Sequence, residues 1–81
     1  MQIFVNTPLV HDGWNSKTVT LNVEKEDTIN NVKTKLFKKT GIPKYHQRLV
    51  FCGKTLREET TVLDNNIEIE SSINLMLRNL Y

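Results

Sequence analysis

The chain has 81 residues and a mass of 9.4 kDa, room for one small domain spanning 1–81 and no second. Hydrophobic residues make up 38 % and charged residues 25 %, which excludes a disordered chain, and the net charge of +2 is too small to imply a nucleic acid or an anionic membrane as partner. Cys52 stands alone, so no internal disulfide forms and a reducing compartment, cytoplasmic or nuclear, is expected.

No apolar run approaches the roughly 20 residues that cross a bilayer. The start Met1-Gln2-Ile3-Phe4-Val5 lacks the basic region and cleavage site of a signal peptide. A domain this short has little room for a deep pocket. Its sheet faces are therefore the place to look for function.

Met1, Ile3 and Val5 alternate with Gln2 and Phe4, and Val19, Leu21 and Val23 alternate with Thr18, Thr20 and Asn22. Period two predicts two strands with one buried face each. Pro8–Lys17 between them carries the turn signals Asp12-Gly13 and Asn15-Ser16, so the pair reads as a hairpin with a long tip. Next, Ile29, Val32 and Leu36 fall on one helical stripe. Thr28 is a suitable N-cap, Lys35, Lys38 and Lys39 complement the dipole at the far end, and Gly41 and Pro43 stop the helix. The spacing predicts a helix over Ile29–Thr40.

Gln47–Phe51 reads as a third strand, with Leu49 and Phe51 inward and Arg48 and Val50 outward. Cys52-Gly53 turns the chain into a short fourth strand around Lys54–Leu56. Arg57–Glu70 is polar and irregular, with Thr61–Asp64 as one helical turn. Ser72–Arg78 is the last strand, with Ile73, Leu75 and Leu77 inward and Asn74, Met76 and Arg78 outward. The order β-β-α-β-β-β predicts an α+β fold: one mixed sheet of four to five strands with the helix packed on its inner face. The expected core is Met1, Ile3, Val5, Val19, Leu21, Val23, Ile29, Val32, Leu36, Leu49, Leu56, Ile67, Ile73, Leu75 and Leu77.

Several segments resemble the ubiquitin family in order and spacing. They are Met1-Gln2-Ile3-Phe4-Val5, the helix from Asp27-Thr28-Ile29 through Lys35, Gly41-Ile42-Pro43, Gln47-Arg48-Leu49-Val50-Phe51 with Gly53-Lys54, Asn66-Ile67, Glu70-Ser71 and Leu75-Met76-Leu77-Arg78. The resemblance runs from Met1 to Arg78 in one register, apart from about six extra residues in the first loop. It implies the β-grasp fold. It also implies two functional parts: an apolar patch on the outer sheet face, gripped by ubiquitin-binding domains and ubiquitin-pathway enzymes, and a tail ending in two glycines that is joined to lysines.

The patch is also readable from the residues. Val50 and Met76 are apolar at outward positions of strands expected to be neighbours, and Arg48, Lys54 and Arg78 give a basic rim. Two exposed apolar residues are also ordinary on any surface. The family has a histidine where Asn74 stands, and its loop leucine falls in the expanded segment, where Pro8, Leu9, Val10 or Trp14 can substitute. The tail departs further: Asn79, Leu80 and Tyr81 follow Arg78, with no Gly-Gly. A side chain there clashes in a narrow enzyme cleft. The chain as given is not expected to be a substrate for ubiquitin-type activation, unless it is cut from a longer product or joined by other chemistry. Lys17, Lys33, Lys35, Lys39 and Lys54 match chain-linking positions of the family, while Asn6 and Ile69 replace two others. Surface lysines also serve solubility.

The leading expectation is a non-enzymatic, monomeric modifier-type unit, with a precursor polyprotein as one origin. The alternative is a ubiquitin-like interaction domain of a larger protein that is never conjugated. A small thiol enzyme using Cys52 is a remote third reading, because a nucleophile needs a base within reach and His46 is six residues away. His11, His46 and Cys52 show no metal-ligand spacing, and no cofactor is expected. The lysines around Phe37 read more readily as a solvated helix face than as a nucleic-acid surface. Phe37 covers the core edge or marks a second contact, and Trp14 is an interface anchor or a cover over the sheet.

Overall fold

In the computed structural model, residues 1–7 and 17–77 are described, Lys17 by its backbone alone. Alternating apolar side chains give strands β1 (Gln2–Thr7) and β2 (Lys17–Asn22), paired antiparallel from Gln2↔Asn22 to Thr7↔Lys17. Helix α1 spans Ile29–Thr40. Its N-cap Thr28 accepts a hydrogen bond from the Asn31 N–H at 3.1 Å. Its C-cap Gly41 is left-handed at φ 78°, a conformation open to glycine at little cost, and donates its N–H to the Phe37 carbonyl. A single 3₁₀ turn, Lys44–His46, leads into β3 (Gln47–Phe51). Cys52 and Gly53 both have positive φ, which suits a tight hairpin into β4 (Lys54–Thr55). The last strand is β5 (Ser72–Leu77).

The sheet order is β2-β1-β5-β3-β4. β5 lies in the middle, parallel to β1 (Val5↔Ile73) and antiparallel to β3 (Leu49↔Leu75). A parallel pair needs a long crossover, and everything from β2 to Ser71 supplies it. Ile3, Val5, Leu21, Leu49, Ile73 and Leu75 then share one face and meet Ile29, Val32 and Leu36 of the helix, all of them buried. Long polar side chains tie the helix to β2: Lys35 Nζ donates to the Asn22 carbonyl at 2.7 Å, and Lys39 Nζ to the Thr20 carbonyl at 2.6 Å.

Two expectations, Leu77 and Met1 in the core, need correction. Leu77 lies on the inner side of β5 by parity yet is 43 % exposed. It sits beyond the helix cover, on a cavity of about 600 Å³ shared with Lys33, Gln47 and Leu56. Met1 is half-buried at the core edge, its amino group donating to the Val23 carbonyl at 2.8 Å. Phe51 points inward as expected and is half-buried against the core. Thr61–Asp64 makes the one turn expected there: Asn65 N–H reaches the Thr61 carbonyl at 3.3 Å, and Thr61 N–H on Asp64 Oδ2 and Asp64 N–H on Thr61 Oγ1, both at 3.0 Å, close it. That turn lowers Val62 into the core, where it is fully buried.

Asp27 fastens the turn before the helix. Its carboxylate accepts the Glu24 N–H and Lys35 Nζ, both at 2.9 Å. The backbone bond first, and the lysine second, favour the charged form and hold its pKa below the ordinary aspartate value. The resulting stability is present above an unfolded-state pKa of about 4 and is lost as pH falls through the lowered value. Asp27→Asn is therefore expected to cost roughly 1 kcal/mol at neutral pH. In urea melts the gap to the parent protein should narrow as pH falls from neutral to below the ordinary aspartate range; a gap of equal size at both ends would contradict this origin.

Candidate partner-binding face

The register between β3 and β5 sets the outer face. Arg48 stands opposite Met76 and Val50 opposite Asn74, so even-numbered residues of both strands point away from the helix. Val50 and Met76 are diagonal cross-strand neighbours, roughly 7–8 Å apart. Met76 is 51 % exposed and Val50 half-buried. The pair forms the apolar centre of a solvent-facing area.

Its borders differ in chemistry. On the β4 side, Thr55 stands opposite Val50, and Arg48 Nε donates to Thr55 Oγ1 at 3.2 Å. On the β1 side runs a polar strip: Thr18 Oγ1 donates to Asn6 Oδ1 at 2.9 Å, and Asn6 Nδ2 to Asn74 Oδ1 at 3.2 Å. These bonds steady Asn74 beside Val50. The area thus offers an apolar centre, a guanidinium donor on one flank and amides on the other. Among the residues expected to bind partners, Val50, Met76, Asn74 and Arg48 come together here, whereas Lys54 stands opposite Phe51 and so belongs to the other side of the sheet. Arg78 and Leu9 lie outside the described residues, as do Trp14, the rest of the 8–16 loop and the tail 79–81.

The lysines matching chain-linking positions divide by environment. Lys33 is 4 % exposed, and its Nζ pairs with Glu58 Oε2 at 3.2 Å. Lys35 pairs with Asp27 at 2.9 Å, and Lys39 is held by β2 as described above. Lys54 is exposed in the β3–β4 hairpin. The side chain of Lys17 lies outside the described residues.

Cys52 is an exposed free thiol in that hairpin. β3 separates it from His46 by six residues of nearly extended chain, roughly 20 Å, too far for a nucleophile and its base. Among the described residues no group of His, Cys, Asp or Glu could hold a metal, and no helix is long and apolar enough to cross a membrane. Phe37 is 47 % exposed on the helix. Three features escaped the sequence reading. Gln47 is fully buried, its Nε2 donating to the Lys33 and Ile42 carbonyls at 3.1 and 2.8 Å. Tyr45, its ring 4.6 Å from that of His46, is largely exposed. So are Leu63 and Ile69, isolated apolar residues in a polar stretch without the periodicity that would have marked them.

The sheet order and the packed helix agree with what comparison with known proteins finds. Residues 3–80 match the ubiquitin family, and the chain belongs to it. Its fold is the β-grasp. Over 61 residues it is 38 % identical to the NEDD8-like protein RUB3 of Arabidopsis thaliana, covering 75 % of this chain and 78 % of that one. It is 33 % identical over 78 residues to the E3 ubiquitin-protein ligase UPL5 of the same plant, covering 96 % of this chain and 8 % of that one. Over 56 residues it is 36 % identical to the ubiquitin domain-containing protein DSK2 of Saccharomyces cerevisiae, covering 69 % of this chain and 15 % of that one. Relatives therefore include both small ubiquitin-like proteins and much longer ones.

Burial predicts an order of amine reactivity. Limited acylation followed by peptide mass spectrometry should label Lys54 quickly and Lys33 at least about tenfold more slowly, because Lys33 reacts only when its surroundings open. Equal rates in the folded protein would contradict the Lys33–Glu58 burial.

Proposed function

We propose that this chain is a non-enzymatic ubiquitin-like recognition unit of modifier type, read by ubiquitin-binding domains or ubiquitin-pathway enzymes through Val50 and Met76. The observation that carries this reading is the diagonal apolar pair facing solvent with Arg48 at its rim. An apolar centre with a guanidinium at its rim lets a partner bury methyl and thioether groups while an acidic group meets the cation. Similarity to a NEDD8-like protein over most of both chains supports the modifier side of the reading. A place in the cytoplasm or nucleus belongs to the same proposal, supported by the free thiol at Cys52.

A second reading has its own support. UPL5 and DSK2 are far longer than the region they share with this chain. A ubiquitin-like unit that stays within a larger protein and is never conjugated fits that pattern. Both readings use the same sheet face. They differ only in whether the unit is ever transferred to a lysine, and the coding sequence beyond Tyr81 separates them.

The face is tested by titrating the isotope-labelled protein with a ubiquitin-binding helix and following amide shifts. Shifts should centre on Arg48–Val50 and Asn74–Met76. Val50→Ala should weaken binding by about tenfold or more. The same change should cost no more than about 1 kcal/mol of stability, because the side chain is only half-buried. Amides around Val50 and Met76 that stay still with every such partner would overturn the assignment.

A further inference from the structure

A strand at the end of a sheet offers backbone groups to any other chain, and natural edges are blunted by shortness, charge, proline or a bulge. In the order β2-β1-β5-β3-β4 the two edges are β2 and β4. β4 is only Lys54–Thr55, too short to serve as a template. β2 is longer, Lys17–Asn22, and from Thr18 to Val23 there is no charge, no proline and no glycine. Its pairing with β1 runs unbroken from Gln2↔Asn22 to Thr7↔Lys17, with no bulge. By its own sequence this edge is open.

Alternation fixes which groups it offers. The Met1 amino group donates to the Val23 carbonyl and Val23 N–H to the Met1 carbonyl, both at 2.8 Å. Gln2 and Phe4 turn their backbone groups the other way: the Gln2 carbonyl accepts from Glu70 N–H, and Phe4 N–H donates to the Ser71 carbonyl. Odd residues of β1 therefore bond to odd residues of β2, and the N–H and C=O groups of Thr18, Thr20 and Asn22 face the open edge. Two of those carbonyls are covered from the helix, Thr20's by Lys39 Nζ at 2.6 Å and Asn22's by Lys35 Nζ at 2.7 Å. Lysines one helical turn apart are about 6 Å apart along the axis, and carbonyls two residues apart on a strand about 7 Å. The two spacings match, so the charge missing from the strand is supplied by its neighbour.

We propose that Lys35 and Lys39 hold shut a strand-pairing edge on β2, and that its occupant, once they are released, is β2 of a second copy. The edge-facing groups repeat at every second residue on either side of Thr20. An antiparallel second copy therefore fits about a twofold axis beside Thr20, with Thr20 opposite Thr20 and Thr18 opposite Asn22, each pair exchanging both hydrogen bonds. The outer-face side chains that meet are uncharged, and a threonine pair is a favourable cross-strand neighbour. Val19 and Leu21 stay buried beneath their own helix. The contact is isologous and closes at two. It lies at the far edge of the sheet from β3, so it neither uses nor depends on the Val50–Met76 face. In the parent protein the lysines occupy the carbonyls and the chain stays monomeric.

The test uses the full chain and follows sedimentation and amide hydrogen exchange from about 0.05 to about 1 mM, the range of weak association. Lys35→Met with Lys39→Met keeps both aliphatic stems and removes both donors. The parent should stay monomeric throughout, and the double variant should dimerise with a Kd of about 0.1 mM or less. The amides of Thr18, Thr20 and Asn22 should then exchange about tenfold more slowly at high concentration than at low. Thr20→Pro added to the double variant removes the central edge-facing donor without touching the β1 ladder, and should restore the monomer. Lys38→Met with Lys54→Met removes the same charge from exposed lysines that do not bond to β2, and should stay monomeric. Lys35 also holds Asp27, so Lys39→Met alone, which leaves that ion pair in place, carries the test if the double variant fails to fold. It should dimerise more weakly within the same range, with the same amides slowed. A double variant that folds and stays monomeric, or a monomeric Lys39→Met where the double variant does not fold, would overturn the proposal. So would association that leaves the three amides unprotected, that survives Thr20→Pro, or that the Lys38 and Lys54 variant shows equally. An extended Thr/Val peptide that binds along β2 of the double variant in place of self-pairing would also overturn it, assigning the edge to a foreign strand.

Discussion

The pairing of β5 with β3 in the register Leu49↔Leu75 is the constraint on which the remaining structure depends. Side chains alternate along a strand, so this single alignment decides which residues of both strands enter the core and which meet water. A slip of one residue on β5 would bring Asn74 and Met76 beneath the helix and expel Ile73 and Leu75. Burying an amide without partners, and losing two fully buried aliphatic side chains, is heavily disfavoured. The interior therefore holds the outer face in place. Val50 and Met76 are presented because Leu49, Ile73 and Leu75 are satisfied within.

The same pairing explains how a small domain can present chemistry without a deep pocket. β5 is central and bonded on both sides, so the face it carries is built on hydrogen-bonded strands rather than on loops. The helix covers the opposite side and is fastened to β2 by Lys35 and Lys39. Lysines that match chain-linking positions of the ubiquitin family thus take up structural roles here, and Lys33 does so within the buried layer.

Much of the fold was legible in the sequence because local signals agreed with one another. Thr28, the Ile29–Val32–Leu36 stripe and Gly41 each have one natural reading, and the helix bounds follow from them. Strand parity assigned Ile3, Val5, Leu49, Ile73 and Leu75 to the core for the same reason. Leu77 was misread because parity names a side of the sheet and says nothing of how far the helix reaches. Gln47 was missed because its type is polar, and the backbone carbonyls that satisfy it belong to Lys33 and Ile42, fixed only in the folded chain. Val62 and the exposed pair Leu63 and Ile69 fall in turns, where no period distinguishes inward from outward. For the candidate face, the outward positions of Val50 and Met76 were readable from alternation alone. Their adjacency was not, since strand order in a mixed sheet is a matter of topology, and it was the resemblance to the ubiquitin family that supplied it.

The most direct measurement is the β3–β5 register in solution, from nuclear Overhauser contacts between backbone protons of the two strands. Contacts linking Arg48 to Met76, Leu49 to Leu75 and Val50 to Asn74 are the predicted result. Contacts displaced by one residue, Leu49 with Asn74 or with Met76, or none between the strands, would contradict it and dissolve the face with it.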